Sequence, residues 1–163
     1  MSIIRYSQNT TLTPEQFIAG LTDFGPGREQ LFGRSAASYL KVHSRGSHEA
    51  DVTEGSGGVW ERLHYDWSDP SRVVLTVTDS NVLGGHSGYT YTFGHQPNGT
   101  TDVNVVNVRE GKNLKGRALA FLLGTIGKRV LAKELAKTIT AIETRNYAPS
   151  LVDFRTPKMA TAS

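Results

Sequence analysis

Residues 113–145 read NLKGRALAFLLGTIGKRVLAKELAKTITAIETR, and this stretch decides the fold class. It holds no proline, and alanine, leucine and lysine dominate it, as they do helix interiors. Roughly 30 helical residues extend about 45 Å, long enough to cross a whole sheet. The chain upstream has the other period. Candidate strands lie at 37–45, 47–54, 58–67, 72–79, 86–95 and 101–110. Between them stand Arg45-Gly46-Ser47, Gly55-Ser56-Gly57-Gly58, Ser68-Asp69-Pro70-Ser71, Asn81 to Gly85 and Gln96-Pro97-Asn98-Gly99. These breaks contain residues that tolerate or impose turn angles. Connections this short make neighbouring strands antiparallel, in a meander.

Ahead of the meander, residues 3–10 read as a further strand. Thr13-Pro14-Glu15-Gln16 is a helix start, with Thr13 as N-cap, Pro14 at the first helical position and Gln16 three residues past the cap. Phe17, Ile18 and Leu21 supply the buried face of that helix; Gly25-Pro26-Gly27 ends it, and a second short helix covers 28–32. One domain over 1–145 is expected, then a poorly ordered tail over 146–163. Of the 163 residues, 37% are apolar and 20% charged, close to globular averages, so disorder is not the expected state. The absence of cysteine excludes disulfides, thiolate metal sites and cysteine nucleophiles. No apolar run reaches the length of a membrane span. Met1-Ser2-Ile3-Ile4-Arg5-Tyr6 lacks the start of a signal peptide, so a cytoplasmic protein is expected. The net charge of +3 is spread along the chain without a recognised module, so nucleic acid is not an expected partner.

Three motifs are more specific. They are Thr13-Pro14-Glu15; Gly58-Val59-Trp60-Glu61-Arg62 with Tyr65-Asp66-Trp67 after it; and Asn113-Leu114-Lys115-Gly116-Arg117 opening the long helix. With the order of elements, they resemble the SRPBCC superfamily over about residues 3–145. That superfamily includes START lipid-binding domains, birch-pollen-allergen-like proteins and polyketide cyclase/dehydrase-like proteins. The resemblance implies an α+β helix-grip fold: a seven-stranded antiparallel curved sheet wrapped around the long C-terminal helix. Two short helices would stand between the first and second strands, and an apolar ligand cavity between sheet and long helix. Carriers and enzymes share this scaffold, so it does not by itself choose a function.

Side chains alternate faces along a strand, so the more apolar parity should face the cavity. This selects Ala50, Val52 and Glu54; Val59, Glu61, Leu63, Tyr65 and Trp67; Val73, Leu75, Val77 and Asp79. It continues with Tyr89, Tyr91 and Phe93, then Val103, Val105, Asn107 and Arg109. Glu54, Glu61, Asp79, Tyr89 and Arg109 fall at one end of the meander and are expected to converge on one rim. There Arg109 is the natural counter-charge for a buried carboxylate. The candidate ligand-binding residues are thus Glu54, Glu61, Leu63, Tyr65, Val77, Asp79, Tyr89, Tyr91, Phe93, Val105, Asn107 and Arg109 from the sheet. The long helix adds Leu119, Leu122, Leu123 and Ile126.

The apolar stripe of that helix does not run straight. Leu119, Leu122, Leu123, Ile126 and Val130 share one face, whereas Leu131, Leu135, Ile139 and Ile142 share another, rotated by roughly 140° at about 100° per residue. Gly124 and Gly127 stand at the change, so a kink near 124–128 is expected, with the preceding segment a movable lid over the rim. The expected function is binding of an apolar or amphipathic small molecule, such as a lipid, fatty acyl or polyketide-like compound. The alternatives are a cyclase or dehydratase using the same pocket, and a partner-binding module acting through the basic helix; transient membrane contact is kept as a further partner. No catalytic residue is assigned. The five histidines show no metal spacing, and neither a metal nor a cofactor is expected.

Overall fold

Thr13 caps the first helix as its sequence requires: Thr13 Oγ1 accepts from the Gln16 amide at 3.2 Å while Gln16 Oε1 accepts from the Thr13 amide at 2.9 Å. In the computed structural model, which describes residues 1–32 and 39–145, that helix is α1 (Pro14–Leu21). It follows β1 (Ser2–Thr10) and precedes α2 (Arg28–Phe32). The meander consists of β2 (Tyr39–Arg45), β3 (Glu49–Ser56), β4 (Val59–Asp66), β5 (Arg72–Ser80), β6 (Gly88–His95) and β7 (Thr101–Arg109). The chain ends its described course in α3 (Leu114–Arg145). The tail expected at 146–163, and the first two residues of the strand expected at 37–45, lie outside the described residues.

All seven strands pair antiparallel in one open sheet of order β1-β7-β6-β5-β4-β3-β2. β1 joins the far edge because it pairs with β7 over its whole length, from Ser2 opposite Arg109 to Thr10 opposite Thr101. The inner face carries the apolar parity: Val52, Leu63, Val73, Leu75, Val77, Val103 and Val105 are all buried. Phe17 and Leu21 of α1, Leu31 of α2 and Leu135, Ile139 and Ile142 of α3 close over it. Gly20 lets α1 lie directly on Ile142, since a Cβ there would stand 2.6 Å from the isoleucine side chain.

Two details differ from the sequence reading. The turn between β3 and β4 takes only Gly57 and Gly58, both in the left-handed region with φ of 59° and 76°. Two such residues make the tightest hairpin turn, so Gly55 and Ser56 stay in the ladder and β3 runs two residues further than expected, while β4 begins at Val59. In β5 the register against β4 slips once, Leu63 facing Val77 but Arg62 facing Asp79. The extra residue, Thr78, reverses the faces of the strand's last two residues, so Ser80 is buried and Asp79 points out.

α3 is one uninterrupted helix of 32 residues, and the expected break at 124–128 does not occur. Its opening motif explains itself locally. Asn113 caps the helix, its Oδ1 accepting from the Gly116 amide at 2.9 Å while its Nδ2 donates to the Asn81 carbonyl. Gly116 packs so closely that a Cβ would overlap the Val82 carbonyl oxygen. The first half of α3 then lies along β1 through small residues: Ser2 Oγ donates to the Ala120 carbonyl at 2.8 Å, and a Cβ on Gly124 would meet that hydroxyl at 2.9 Å. Gly116, Ala120, Gly127, Leu135, Thr138, Ile139 and Ile142 are the buried residues of the helix. The glycines therefore serve close approach rather than bending, and most of the large apolar residues of this half face outward, Leu119 and Leu123 being partly buried. Leu122 and Ile126 are 51% and 57% exposed, beside Leu114, Phe121 and Val130. No helix among the described residues is long and apolar enough to cross a membrane.

Candidate functional site

Glu54 of β3 and Glu61 of β4 face each other directly across the ladder, both on the inner face. Two carboxylates so placed repel, and a low-polarity surrounding magnifies the cost. Each has its own arginine. Arg28 donates from Nη2 to Glu54 Oε1 at 3.0 Å, with side-chain exposures of 2% and 11%. Arg109 donates from Nη1 to both oxygens of Glu61, at 3.2 and 3.1 Å.

Arg28 is the first residue of α2 and is buried there. The guanidinium also donates to the Leu21 and Asp23 carbonyls at 3.1 and 2.7 Å, satisfying acceptors at the end of α1. It lies 4.5 and 4.4 Å from the ring centres of Phe24 and Phe32. Burial works against its charge, but Tyr65 and Glu54 outweigh this and hold it more firmly protonated than usual. Tyr65 completes the cluster, donating to Glu54 Oε1 at 2.5 Å and accepting from Arg28 Nη2 at 3.0 Å. Burial, and then the Glu54 charge, push the Tyr65 phenol well above its ordinary pKa.

The second cluster lies on the β4, β6 and β7 side. Arg109 is buried and its guanidinium stands 4.2 Å from the Tyr89 ring centre. One strand step away, Asn107 is fully buried, and its Nδ2 and Oδ1, like Arg109 Nε, make no hydrogen bond of good geometry among the described residues, although the Tyr6 phenol lies against the amide. Tyr6 lies beside the Asn107 amide; burial raises its phenol pKa, with Asn107 and Arg109 opposing. The Tyr91 phenol is likewise pushed up, first by burial and then by Tyr6 and Glu54.

Between the clusters is a cavity of about 430 Å³. The structure places Glu54, Glu61, Leu63, Tyr65, Tyr89 and Tyr91 on its wall. Asn107 and Arg109 stand behind that wall, buried on the same face of β7. Val77 and Val105 are core residues away from the cavity, and Phe93 packs edge-on against Phe17 with ring centres 5.5 Å apart. Asp79 is not in the site. The slip in β5 turns it outward to Lys112 at 3.9 Å, with its side chain 59% exposed. Leu122 and Ile126 are not in the site either, and Leu119 and Leu123, though partly buried, do not reach the wall. They belong to the half of α3 that lies over β1. The helix wall is built instead from Leu131, Glu134, Leu135 and Thr138, one stretch further along.

Phe17, Arg28 and Phe32, which also line the cavity, lie on helices and outside any strand parity, whereas Tyr6 shares the inward parity of β1 with Ile4 and Thr10 and was within reach of that rule. The one signal available for the helical residues was Arg28 itself, a charge in a five-residue helix next to aromatic residues, with an inward Glu54 needing a partner.

No family model matches the sequence, and no curated protein matches it. Solved structures do. A Thermus thermophilus protein, TTHA0849, is similar over 89% of this chain and 99% of its own, with 15% identity and a TM-score of 0.67. The Zhui aromatase/cyclase from a Streptomyces species matches over 91% and 97%, with 12% identity and a TM-score of 0.64. A START superfamily protein from Mycobacterium smegmatis matches over 89% and 97%, with 10% identity and a TM-score of 0.62. At such identities the likeness is one of fold.

Proposed function

Because the chain has the helix-grip fold of the SRPBCC superfamily, we propose that it binds an apolar or amphipathic small molecule between the sheet and α3. The observation that carries this reading is the cavity of about 430 Å³, walled by aromatic and aliphatic side chains with a few buried polar groups. That is the usual make-up of a small-molecule site. Burial of apolar surface, at about 25 cal/mol per Å², drives entry, and the polar groups orient the ligand. A cytoplasmic place of action belongs to the reading. Ring-closing chemistry, which the aromatase/cyclase neighbour suggests, is less favoured here: each strand-borne carboxylate of the cavity is already engaged by an arginine. Native mass spectrometry of protein purified without detergent tests the proposal. A co-purifying ligand, displaced when Tyr91→Trp fills the cavity, is the expected result; an empty protein that binds no hydrophobic dye would overturn it.

A second reading rests on a separate observation. Leu114, Phe121, Leu122, Ile126 and Val130 form an exposed apolar face on α3. Lys112, Lys115, Arg117, Lys128, Arg129 and Lys133 are interleaved with it, and no acidic residue occurs between Glu110 and Glu134. Like charge opposes pairing of two such faces, whereas an anionic lipid surface complements both features. We propose transient contact of this face with such a surface during ligand exchange. Phosphatidylglycerol vesicles should co-sediment with the protein and phosphatidylcholine vesicles should not. Phe121→Ser with Ile126→Ser should abolish the binding; equal binding to both vesicle types would refute it.

A further inference from the structure

The hairpin between β3 and β4 carries a second concavity, on the other face of the sheet. Tyr39 of β2, Gly55 of β3 and Trp60 of β4 stand opposite one another in the ladder. Glu54 and Glu61 face the inner cavity, so these three residues, one position along, face outward. With Thr53 and residues 56–59 of the hairpin they wall a cleft of about 420 Å³. Tyr39 is 51% exposed and Trp60 37%, a large aromatic area for a face that meets water. Gly55 leaves the floor between the two rings bare, where a Cβ would stand 2.9 Å from that of Trp60. Two strand spacings separate the flanking backbones by about 9–10 Å, which admits one flat ring between the aromatic side chains. Trp60 is fixed in place from β5. Its amide donates to Asn81 Oδ1 at 3.1 Å, its carbonyl accepts from Ser80 Oγ at 2.7 Å, and Asn81 Nδ2 donates to the Gly58 carbonyl at 2.7 Å. A stacking ligand therefore does not have to order the hairpin.

The charge beside the cleft decides what that ring should carry. The next outward row of the ladder is Lys41, Thr53 and Arg62, two residues and about 6–7 Å from the aromatic row. Lys41 and Arg62 are exposed, and neither makes an ion pair among the described residues. Asp79, opposite Arg62 on β5, is drawn instead to Lys112 at 3.9 Å. Two unpaired cations at that distance from a stacking slot complement an anion carried by an aromatic ring, in the spacing of a nucleotide's phosphate from its base. Further along, the outward face turns acidic with Asp51 and then Glu49 and Asp66, which opposes a phosphate chain continuing down the sheet. We propose that this outer cleft binds a single nucleoside phosphate, the base between Tyr39 and Trp60 and the phosphate at Lys41 and Arg62. The site is independent of the cavity between sheet and α3.

Calorimetric titration of the whole chain at constant ionic strength tests this with adenosine monophosphate, adenosine, ribose 5-phosphate and a short oligoadenylate. The monophosphate should bind, and adenosine and ribose 5-phosphate should each bind about tenfold more weakly or less. Tyr39→Ala should weaken the monophosphate and adenosine alike, by about tenfold. Lys41→Gln with Arg62→Gln should bring the monophosphate down to the level of adenosine and leave adenosine unchanged. All three side chains are exposed, and circular dichroism checks that each variant is folded; should one not be, the other decides. Equal affinity for the monophosphate and adenosine would overturn the proposal, as would unchanged binding of the monophosphate in a folded variant, or binding of no probe. Tighter binding of the oligoadenylate than of the monophosphate, counted per nucleotide, would overturn it in favour of a single-stranded nucleic acid. None of these outcomes bears on the inner cavity, which co-purification tests separately.

Discussion

Replacing Arg28 by methionine removes a buried guanidinium while keeping much of its apolar stem. Five hydrogen bonds are lost: two to Glu54, one to Tyr65 and one each to the Leu21 and Asp23 carbonyls. Glu54 keeps Tyr65 as a donor but loses its counter-charge at 11% side-chain exposure. Breaking a buried pair by deleting one partner costs about 3–5 kcal/mol, because the survivor is stranded. For a chain of this length that corresponds to a fall in melting temperature of about 6–20 °C. The exposed pair of Lys137 with Glu134, at 62% and 49%, serves as control, and Lys137→Met should cost no more than about 1 kcal/mol. Arg28→Met combined with Glu54→Leu should recover most of the loss, since an apolar pair replaces a buried ionic one at little net cost. Urea titration of the four proteins supplies the double-mutant cycle. An Arg28→Met penalty below about 1 kcal/mol, or a double variant no better than the sum of the singles, would refute the reading of this cluster as dry and tightly coupled.

Asn107→Leu removes two buried amide atoms that make no hydrogen bond of good geometry and should raise stability by about 1–3 kcal/mol in chemical denaturation. Gly116→Ala drives a methyl group into the Val82 carbonyl and should cost about 1–3 kcal/mol or more, whereas alanine at the open Gly85 should not perturb packing. Because the folded Tyr91 phenol has a raised pKa, its stabilising contribution is complete below the unfolded value of 10.0 and fades as pH rises beyond it. Tyr91→Phe should therefore leave the melting temperature near pH 7 almost unchanged and make the decline above pH 10 shallower, as followed by circular dichroism.

The sheet was readable because a period of two, punctuated by turn residues, specifies both a strand and the face each residue takes. Leu63, Tyr65, Tyr89 and Tyr91 reach the cavity wall on that rule alone. It failed at Asp79, since a one-residue slip leaves no trace in a hydrophobic pattern whose last members are Thr78, Asp79 and Ser80. α3 misled for a different reason. Large apolar residues ordinarily mark a helix's buried face, but where a helix lies close to a strand the contact favours small ones, and Gly116, Ala120 and Gly127 carry no hydrophobic signal. Arg28 left only a faint local signal, a charge in a short helix beside aromatic residues, because its burial depends on Glu54 and Tyr65 from distant strands.

The slip in β5 also shows how this cavity's chemistry is open to change by strand register alone. Losing the bulge with Thr78 retained, so that Arg62 pairs with Thr78 and Glu61 with Asp79, would restore the simple alternation, swinging Asp79 inward and Ser80 outward. The interior would then hold a third strand-borne carboxylate opposite Glu61 with no arginine assigned to it, and an amine-bearing ligand would become the natural complement. No residue of the present wall would have been substituted. Within this scaffold, then, a one-residue change of strand register is a route to a cationic guest, and comparison of wall residues alone would not detect it.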